Sequence, residues 1–444
     1  MDDALTLRRS WVQIPFDPLF THSILIHRVN NAENLSKVSY VVFFCTLTVV
    51  LLTLIAMIFP ALFSSYFGLH AENLEPFELG HQAIFVITSN AIIFGLGILY
   101  YKKKISSTLN NVIEKVRTFE LSNRVALVSL FVIIGIYVGF SIPELFIDES
   151  TQWADYEVLR IALELWPFDE ADEEAYSGIG SVYIKEQNDR YVRMFLLDVS
   201  YDIFQNIKIL PFLASILVVF FTYLIATQFC QKRFAGIISV IVLLQSHIFL
   251  KFDTIAVYEN FWVLFYLISL YMIRKKWFLS PVFYILAFFT KAYMAPYFLM
   301  TLFTTYRSEI SSGRKVAILI SYVAIVGLAI ALVFIGETVY PDVIEINYNK
   351  FILGFQGIAS QLRFDFFFIM TILPVTVGLL LLSRNKFKES DSILILIFGT
   401  IIVSPVLVVF TSHYDIHAYR FIPLIVFFSI GVGMFFSKKS VHLS

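Results

Sequence analysis

The chain has 444 residues, 58% of them hydrophobic and only 15% charged, with Phe at 47 positions and Tyr at 23. Soluble globular chains carry about 45–50% apolar and about 25% charged residues, so the composition is that of an all-α polytopic membrane protein. A net charge of −1 argues against nucleic acid as a partner, and two cysteines, Cys45 and Cys230, give neither a disulfide framework nor a Cys-based metal site.

The N-terminal stretch MDDALTLRRSWVQIPFDP reads as a polar lead-in without the pattern of a cleavable signal. A helix needs about 20 apolar residues to cross a bilayer. About 12 apolar segments approach that length: 38–62, 82–101, 125–147, 209–229, 234–251, 258–273, 277–290, 293–306, 316–335, 366–383, 392–410 and 419–436. The pair 277–290 and 293–306 is short and reads either as two spans or as a re-entrant hairpin. Two spans put the loop charges in order.

That order comes from the excess of Lys and Arg in cytoplasmic loops. With Lys102–Lys104, Lys115, Arg117 and Arg124 inside, the clusters at 232–233, 274–276, 314–315, 384–388 and 438–439 also fall inside, and both termini are cytoplasmic. The outer side then carries one large loop, 148–208, with 14 acids and 5 basic residues. Within it, Trp153, Tyr156, Ile161 and Leu165 recur at helical spacing, which predicts an amphipathic helix at the membrane surface. A second outer loop spans 336–365. The others, 63–81, 252–257 and 411–418, are short. The acid run 169–174 reads as solvated loop.

Chemistry-bearing residues converge on this outer level. Asp148 and Glu149 end the third span, Asp253 lies in the loop between spans five and six, and Glu259 begins span six. Lys291 sits at the tip of the short pair. His413, Asp415, His417, Tyr419 and Arg420 precede the last span. Acids near a bilayer are costly and often functional. Cations facing acids at the mouth of an apolar bundle suit a ligand with a phosphate and a greasy tail, and an acid can take a proton from an incoming hydroxyl. Each residue also has a plainer role. Asp148 and Glu149 can be a solvated helix end, Glu259 an N-terminal helix charge, and Lys291 or Arg420 a snorkelling cation. Arg193 reaches a phosphate or anchors its loop to headgroups. His413 and His417, four residues apart, have metal-binding spacing only if they lie on a helix.

These pieces together resemble the GT-C superfamily of integral-membrane glycosyltransferases, which use polyprenyl-phosphate-linked sugars, such as protein mannosyltransferases and aminoarabinose transferases. The resemblance runs from about residue 130 to 436. It rests on Asp148-Glu149 after the first core span, RMFLLDVSYDIFQNIKILPFLASILVVFFTYLIATQFCQKRFAGIISVIVLLQ (193–245), TIAVYENFWVLFYLISLYMIRKK (254–276), LAFFTKAYMAPY (286–297) and AYRFIPLIVFFSIGVG (418–433). It implies a catalytic base or metal-binding acid at Asp148, with Glu149 beside it. It implies donor-phosphate binding by Arg420, Tyr419 and Lys291, and a place in the site for Glu259; position and chemistry add Arg193 at the phosphate and Asp253, His413 and His417 as substrate contacts beside Glu259. Residues 1–124 are then an added lead, helical hairpin and basic connector, and 125–444 the core. The chain departs from the family in its acidic, not Pro-rich, first loop (PFDEADEEAYSG, 167–178), and it has neither a WWDYG sequence nor a large C-terminal soluble domain.

The function expected on this basis is sugar transfer, with inversion, from a polyprenyl-phosphate-linked donor to an acceptor on the outer face of the membrane. The acceptor is a protein, lipid or glycan. The reaction requires no cofactor, although a divalent metal at Asp148, with Asp253, is compatible with it. Prokaryotic plasma membrane is the expected location. A transporter or lipid flippase, and a non-catalytic GT-C-like subunit of a membrane complex, are the alternative classes. Transporters often carry paired repeats with broken helices, and none is visible here.

Overall fold

The computed structural model describes residues 18–66, 75–102, 104–166, 190–335, 346–348, 350–385, 387–410 and 416–437, with side chains described from residue 37 onward except at 64–66 and 328–335. The lead-in up to residue 17, the acid run 169–174, residues 336–345 of the predicted outer loop 336–365, and His413 therefore lie outside the described residues. Within the described residues the chain forms eighteen α-helices and five short 3-10 turns, with no strand.

The helices are α1 (Pro18–Ile58), α2 (Pro60–Tyr66), α3 (Ala83–Tyr101), α4 (Ser107–Thr118), α5 (Asn123–Ser141), α6 (Asp155–Glu164), α7 (Tyr191–Phe204), α8 (Ile209–Cys230) and α9 (Arg233–Leu243). They continue with α10 (His247–Lys251), α11 (Phe261–Lys275), α12 (Ser280–Thr290), α13 (Tyr297–Arg307), α14 (Ser312–Ile335), α15 (Lys350–Leu362), α16 (Phe366–Arg384), α17 (Glu389–Phe410) and α18 (Ile422–Met434). Six helical segments are long and apolar enough to cross a membrane: Lys37–Ile58, Ala83–Tyr101, Asn123–Phe146, Ile209–Cys230, Phe366–Arg384 and Glu389–Phe410. Arg233–Leu243, Trp277–Thr290 and Ala418–Met434 are apolar but shorter. An integral membrane protein is consistent with these helices, by length and composition.

The breaks have local causes. Pro60 lacks an amide hydrogen and restricts Phe59, so the first predicted span divides there into α1 and α2. The predicted span 234–251 divides at Gln245-Ser246, where the Ser246 hydroxyl caps α10 by accepting from the Phe249 amide at 3.1 Å. Lys291 is extended between α12 and the following turn, which ends the short pair's first helix. The predicted loop 336–365 contains a helix. On α15, Phe355, Ile358, Ala359 and Leu362 are buried. Gly354 lets α15 approach α17 closely, since an added Cβ would stand 2.6 Å from the Pro405 Cα.

The core centres on α18, twelve of whose residues are buried. It packs against α8, α9, α16 and α17, while α11 pairs with α12 and α8. α1 lies along α15, α16 and α17, and α3 lies along α16. A buried polar knot fixes α1 to this group. Asp391, fully buried, pairs with Arg307, and its carboxylate accepts from Ser39 at 2.8 Å and Ser383 at 2.5 Å. Every oxygen of that carboxylate is thus satisfied, as a buried charge requires.

Candidate functional site

The segment Phe252–Asn260, between α10 and α11, is buried along its whole length. Buried backbone outside a helix needs partners for its amides and carbonyls. Here acids and a guanidinium supply many of them. The Glu149 carboxylate accepts from the Ala256 amide at 2.8 Å and the Val257 amide at 3.2 Å. The Arg193 guanidinium donates to the Val257 carbonyl at 2.9 Å and pairs with Glu259 at 3.0 Å, both side chains being buried. The Asp253 carboxylate accepts from Ser141 at 2.7 Å, and its backbone carbonyl from Ser215 at 2.6 Å. Asn260 donates to the Ser215 hydroxyl at 2.9 Å and the Phe252 carbonyl at 3.2 Å. Burial pushes the Asp253 carboxyl up to about 6. Burial also raises Glu149, against the opposing pull of the two amides and of Lys208.

Asp148 differs from all of these. It is exposed, and it caps the short turn Glu149–Thr151 by accepting from the Ser150 amide at 2.9 Å. That hydrogen bond holds its carboxyl below the usual carboxylate range. It lines an open cavity of about 350 Å³ together with Glu149, Tyr156, Tyr201, Asn206 and Lys208. The Lys208 ammonium donates to the carbonyls of Glu144 at 2.5 Å and Ile147 at 3.0 Å and lies 3.9 Å from Glu149, so it braces the turn that carries Asp148. Burial pushes Lys208 down.

A cationic and aromatic cluster forms around Tyr419, which stacks on Tyr258 of the Phe252–Asn260 segment. The Lys291 ammonium is 3.9 Å from the Tyr419 ring centroid and 5.8 Å from that of Trp262. Lys291 is only 7% exposed, and among the described residues it makes no ion pair with a carboxylate. Burial pushes its ammonium down to about 8. Arg420 lies 5.7 Å from the Tyr293 ring and donates to the Tyr419 hydroxyl at 3.4 Å. Tyr419 stacks on Tyr258 at 4.5 Å and on His417 at 5.8 Å. The Tyr258 hydroxyl donates to Asp155 at 2.7 Å, which ties α6 to the cluster, and Trp153 packs edge-on against Tyr258 at 5.0 Å. Cations over aromatic faces in a desolvated site gain about 2 kcal/mol or more, which partly offsets the cost of burying them.

The structure brings Lys291, His417, Tyr419 and Arg420 together, as a group of cations and rings. It couples Arg193 with Glu259, and it uses Glu149 and Asp253 as buried supports of the loop. Of the two predicted acids that line the open cavity, Asp148 is exposed and Glu149 is buried. The predicted amphipathic helix is α6, whose Leu159 and Ala162 are buried. Tyr258, Asp155, Trp262, Tyr293 and Lys208 were not among the predicted site residues. For Tyr258 and Tyr293 the VYEN and FTKAY stretches hold the only signal, an aromatic near a charge. Among the described residues no three His, Cys, Asp or Glu side chains gather in a way that could hold a metal ion. Comparison of the chain with protein families, curated proteins and solved structures finds no match.

Proposed function

We propose that the protein is an integral-membrane glycosyltransferase that moves a sugar from a polyprenyl-phosphate-linked donor to an acceptor hydroxyl. The observation that carries this reading is Lys291. It is a buried ammonium walled by Tyr419 and Trp262, with Arg420 beside it and no carboxylate in ion-pair range among the described residues. A buried cation that is not neutralised locally is costly, and it favours an anionic ligand that supplies the missing charge. A phosphate attached to an apolar tail meets that need where a cationic slot opens among apolar helices.

The acid side of the reaction falls to Asp148. Its exposed, fully ionised carboxylate accepts the proton of the acceptor hydroxyl. The hydroxyl oxygen forms the new bond to the anomeric carbon as the bond from that carbon to the phosphate oxygen breaks. Polyprenyl phosphate leaves with the bonding pair, and Lys291 and Arg420 stabilise its charge. A chain of contacts through the 252–260 segment joins the turn that carries Asp148 to Lys291. Glu149, next to Asp148, grips the amides of Ala256 and Val257, and the following residue, Tyr258, stacks on Tyr419 beneath Lys291. Arg193 and Glu259 neutralise each other and stiffen the same loop.

Transfer from a panel of radiolabelled polyprenyl-phosphate sugars, in membranes carrying wild type or Asp148→Asn, tests the reading. Wild-type transfer with near-complete loss in the variant supports it. Equal transfer by both would sink the role of Asp148. Lipid flipping that survives the substitution, with no transfer by either, would favour the transporter class.

A further inference from the structure

Helix α4, Ser107–Thr118, has no buried residue. Leu109, Val112 and Val116 follow one another at helical spacing and are 46%, 52% and 40% exposed, with half-buried Ile113 on the same face. The opposite face carries Ser107, Asn110, Asn111, Glu114 and Thr118. Lys115 and Arg117 flank the apolar stripe on its two sides. This is the pattern of a helix that lies in a membrane interface, with apolar residues toward acyl chains and cations at headgroup level.

The tethers of α4 hold it at the level of the span ends. Only five residues separate it from α3 and only four from α5. The Tyr100 hydroxyl, at the end of α3, donates to Glu114 at 3.4 Å and accepts from Arg117 at 3.3 Å, so the helix folds back onto that end. Its exit is pinned to the start of α9. Lys232 donates to the Arg117 carbonyl, the Arg233 amide donates to Glu120 at 3.1 Å, and Phe119 meets the Phe234 ring at 5.0 Å. The flanking spans are the least buried of the six, at 17% for α3 and 22% for α5. Their exposed side chains include Leu96, Leu99, Val125 and Val128.

Charge selects the occupant. Residues 102–124 hold six Lys or Arg against two acids, and Lys232 and Arg233 adjoin them. We propose that α4 is an in-plane anchor, whose Leu109–Val112–Val116 edge enters the acyl region of the bilayer while the exposed Lys104 and Lys115 engage anionic phospholipid headgroups. Basic residues at a membrane surface attract anionic lipid within a Debye length. The inference rests on the chain being an integral membrane protein and not on glycosyl transfer.

The test uses the full chain with Cys45→Ala, buried Cys230 being retained, and one spin label at Val112→Cys or at Asn111→Cys. Both positions are exposed, so neither label displaces packing. In vesicles of phosphatidylcholine with phosphatidylglycerol, the ratio of oxygen to nickel-complex collision is expected to be several-fold higher at Val112 than at Asn111. Omitting phosphatidylglycerol, or introducing Lys104→Gln with Lys115→Gln, is expected to shrink that ratio at Val112. A Val112 label as open to nickel as Asn111 in both lipids overturns the proposal, because the stripe is then solvated. A Val112 label shielded from both reagents overturns it too, because a protein segment then covers the stripe. An unchanged depth without phosphatidylglycerol overturns the assignment to anionic headgroups.

Discussion

Lys291 holds its ammonium 3.9 Å from the centre of the Tyr419 ring, and Tyr419 in turn lies 4.5 Å from Tyr258 and nearly parallel to it. The stack gives the buried cation a polarisable floor. Lys291→Met keeps the length of the side chain and removes the charge. Replacing a buried charge by a packed apolar group is often neutral or stabilising. Hydrogen bonds to charged groups contribute about 1.5–3 kcal/mol, so donor affinity should fall about 10- to 100-fold. The melting temperature in detergent should hold or rise. A marked drop in melting temperature with unchanged donor affinity would make Lys291 a structural cation.

The same residue predicts a pH dependence. Its ammonium is pushed down to about 8, so the charged form is lost as pH rises through that value. The kcat/KM for the donor should therefore fall above about pH 8. Lys291→Arg, whose charge persists, should remove that limb even if its different shape lowers the plateau. A wild-type profile that is flat up to pH 10 would contradict the assignment.

Asp148 and Glu149 are neighbours with opposite fates, and paired substitutions should separate them. Asp148→Asn leaves an exposed polar side chain in place and should abolish transfer with little change in melting temperature. Glu149→Gln sets an amide group against the Ala256 and Val257 amides, where one donor must lose its acceptor. An unsatisfied buried donor costs about 1–3 kcal/mol, so this variant should be destabilised before it is inactive. A stable Glu149→Gln protein with no transfer would move the chemistry from Asp148 to Glu149.

The acids at this level were legible in the sequence as acids beside apolar spans. Which of them is free and which is a clamp was not, because that depends on how the 252–260 segment folds against α5 and α7. Burial turns Glu149, Asp253 and Glu259 into supports, whereas a 3-10 turn leaves Asp148 outside. Tyr258 was hidden among 23 tyrosines, and only its stacking on Tyr419 marks it. In the fold, long uniform spans such as Ile209–Cys230 were readable from length and hydropathy. Short ones were not, since a run such as 234–251 reads as one span although Gln245-Ser246 breaks it. Helix α15 carried its apolar spacing in Phe351, Phe355, Ile358 and Leu362, but its Gly-rich, polar surroundings read as loop.

Arg193 and Glu259 form a buried pair 3.0 Å apart. Removing one partner of such a pair typically costs about 3–5 kcal/mol, because the other is left charged and unpaired. Arg193→Met and Glu259→Leu should each lower stability strongly, and the double variant should recover much of the loss. A double-mutant cycle on thermal unfolding in detergent measures the coupling. Additive losses would show that the two side chains act separately, and would return Arg193 to consideration as a phosphate ligand.

Asp253 should make stability depend on pH in a direction opposite to that of a salt-bridged acid. Its carboxyl is raised from 3.8 to about 6 by burial, so the folded state prefers the protonated form. Relative to the unfolded chain, its contribution is most favourable below about pH 4. It is lost as pH rises from there to about 6, and above that the residual cost is constant. A shift of about two pK units corresponds to ~3 kcal/mol. Asp253→Asn keeps a group able to accept from Ser141 and cannot ionise. The wild-type melting temperature should therefore fall relative to that of Asp253→Asn between pH 4 and pH 6, and the variant should be the more stable at pH 7. Parallel melting curves across that range would show that Asp253 stays ionised in the folded protein, with its carboxylate fully met by its neighbours.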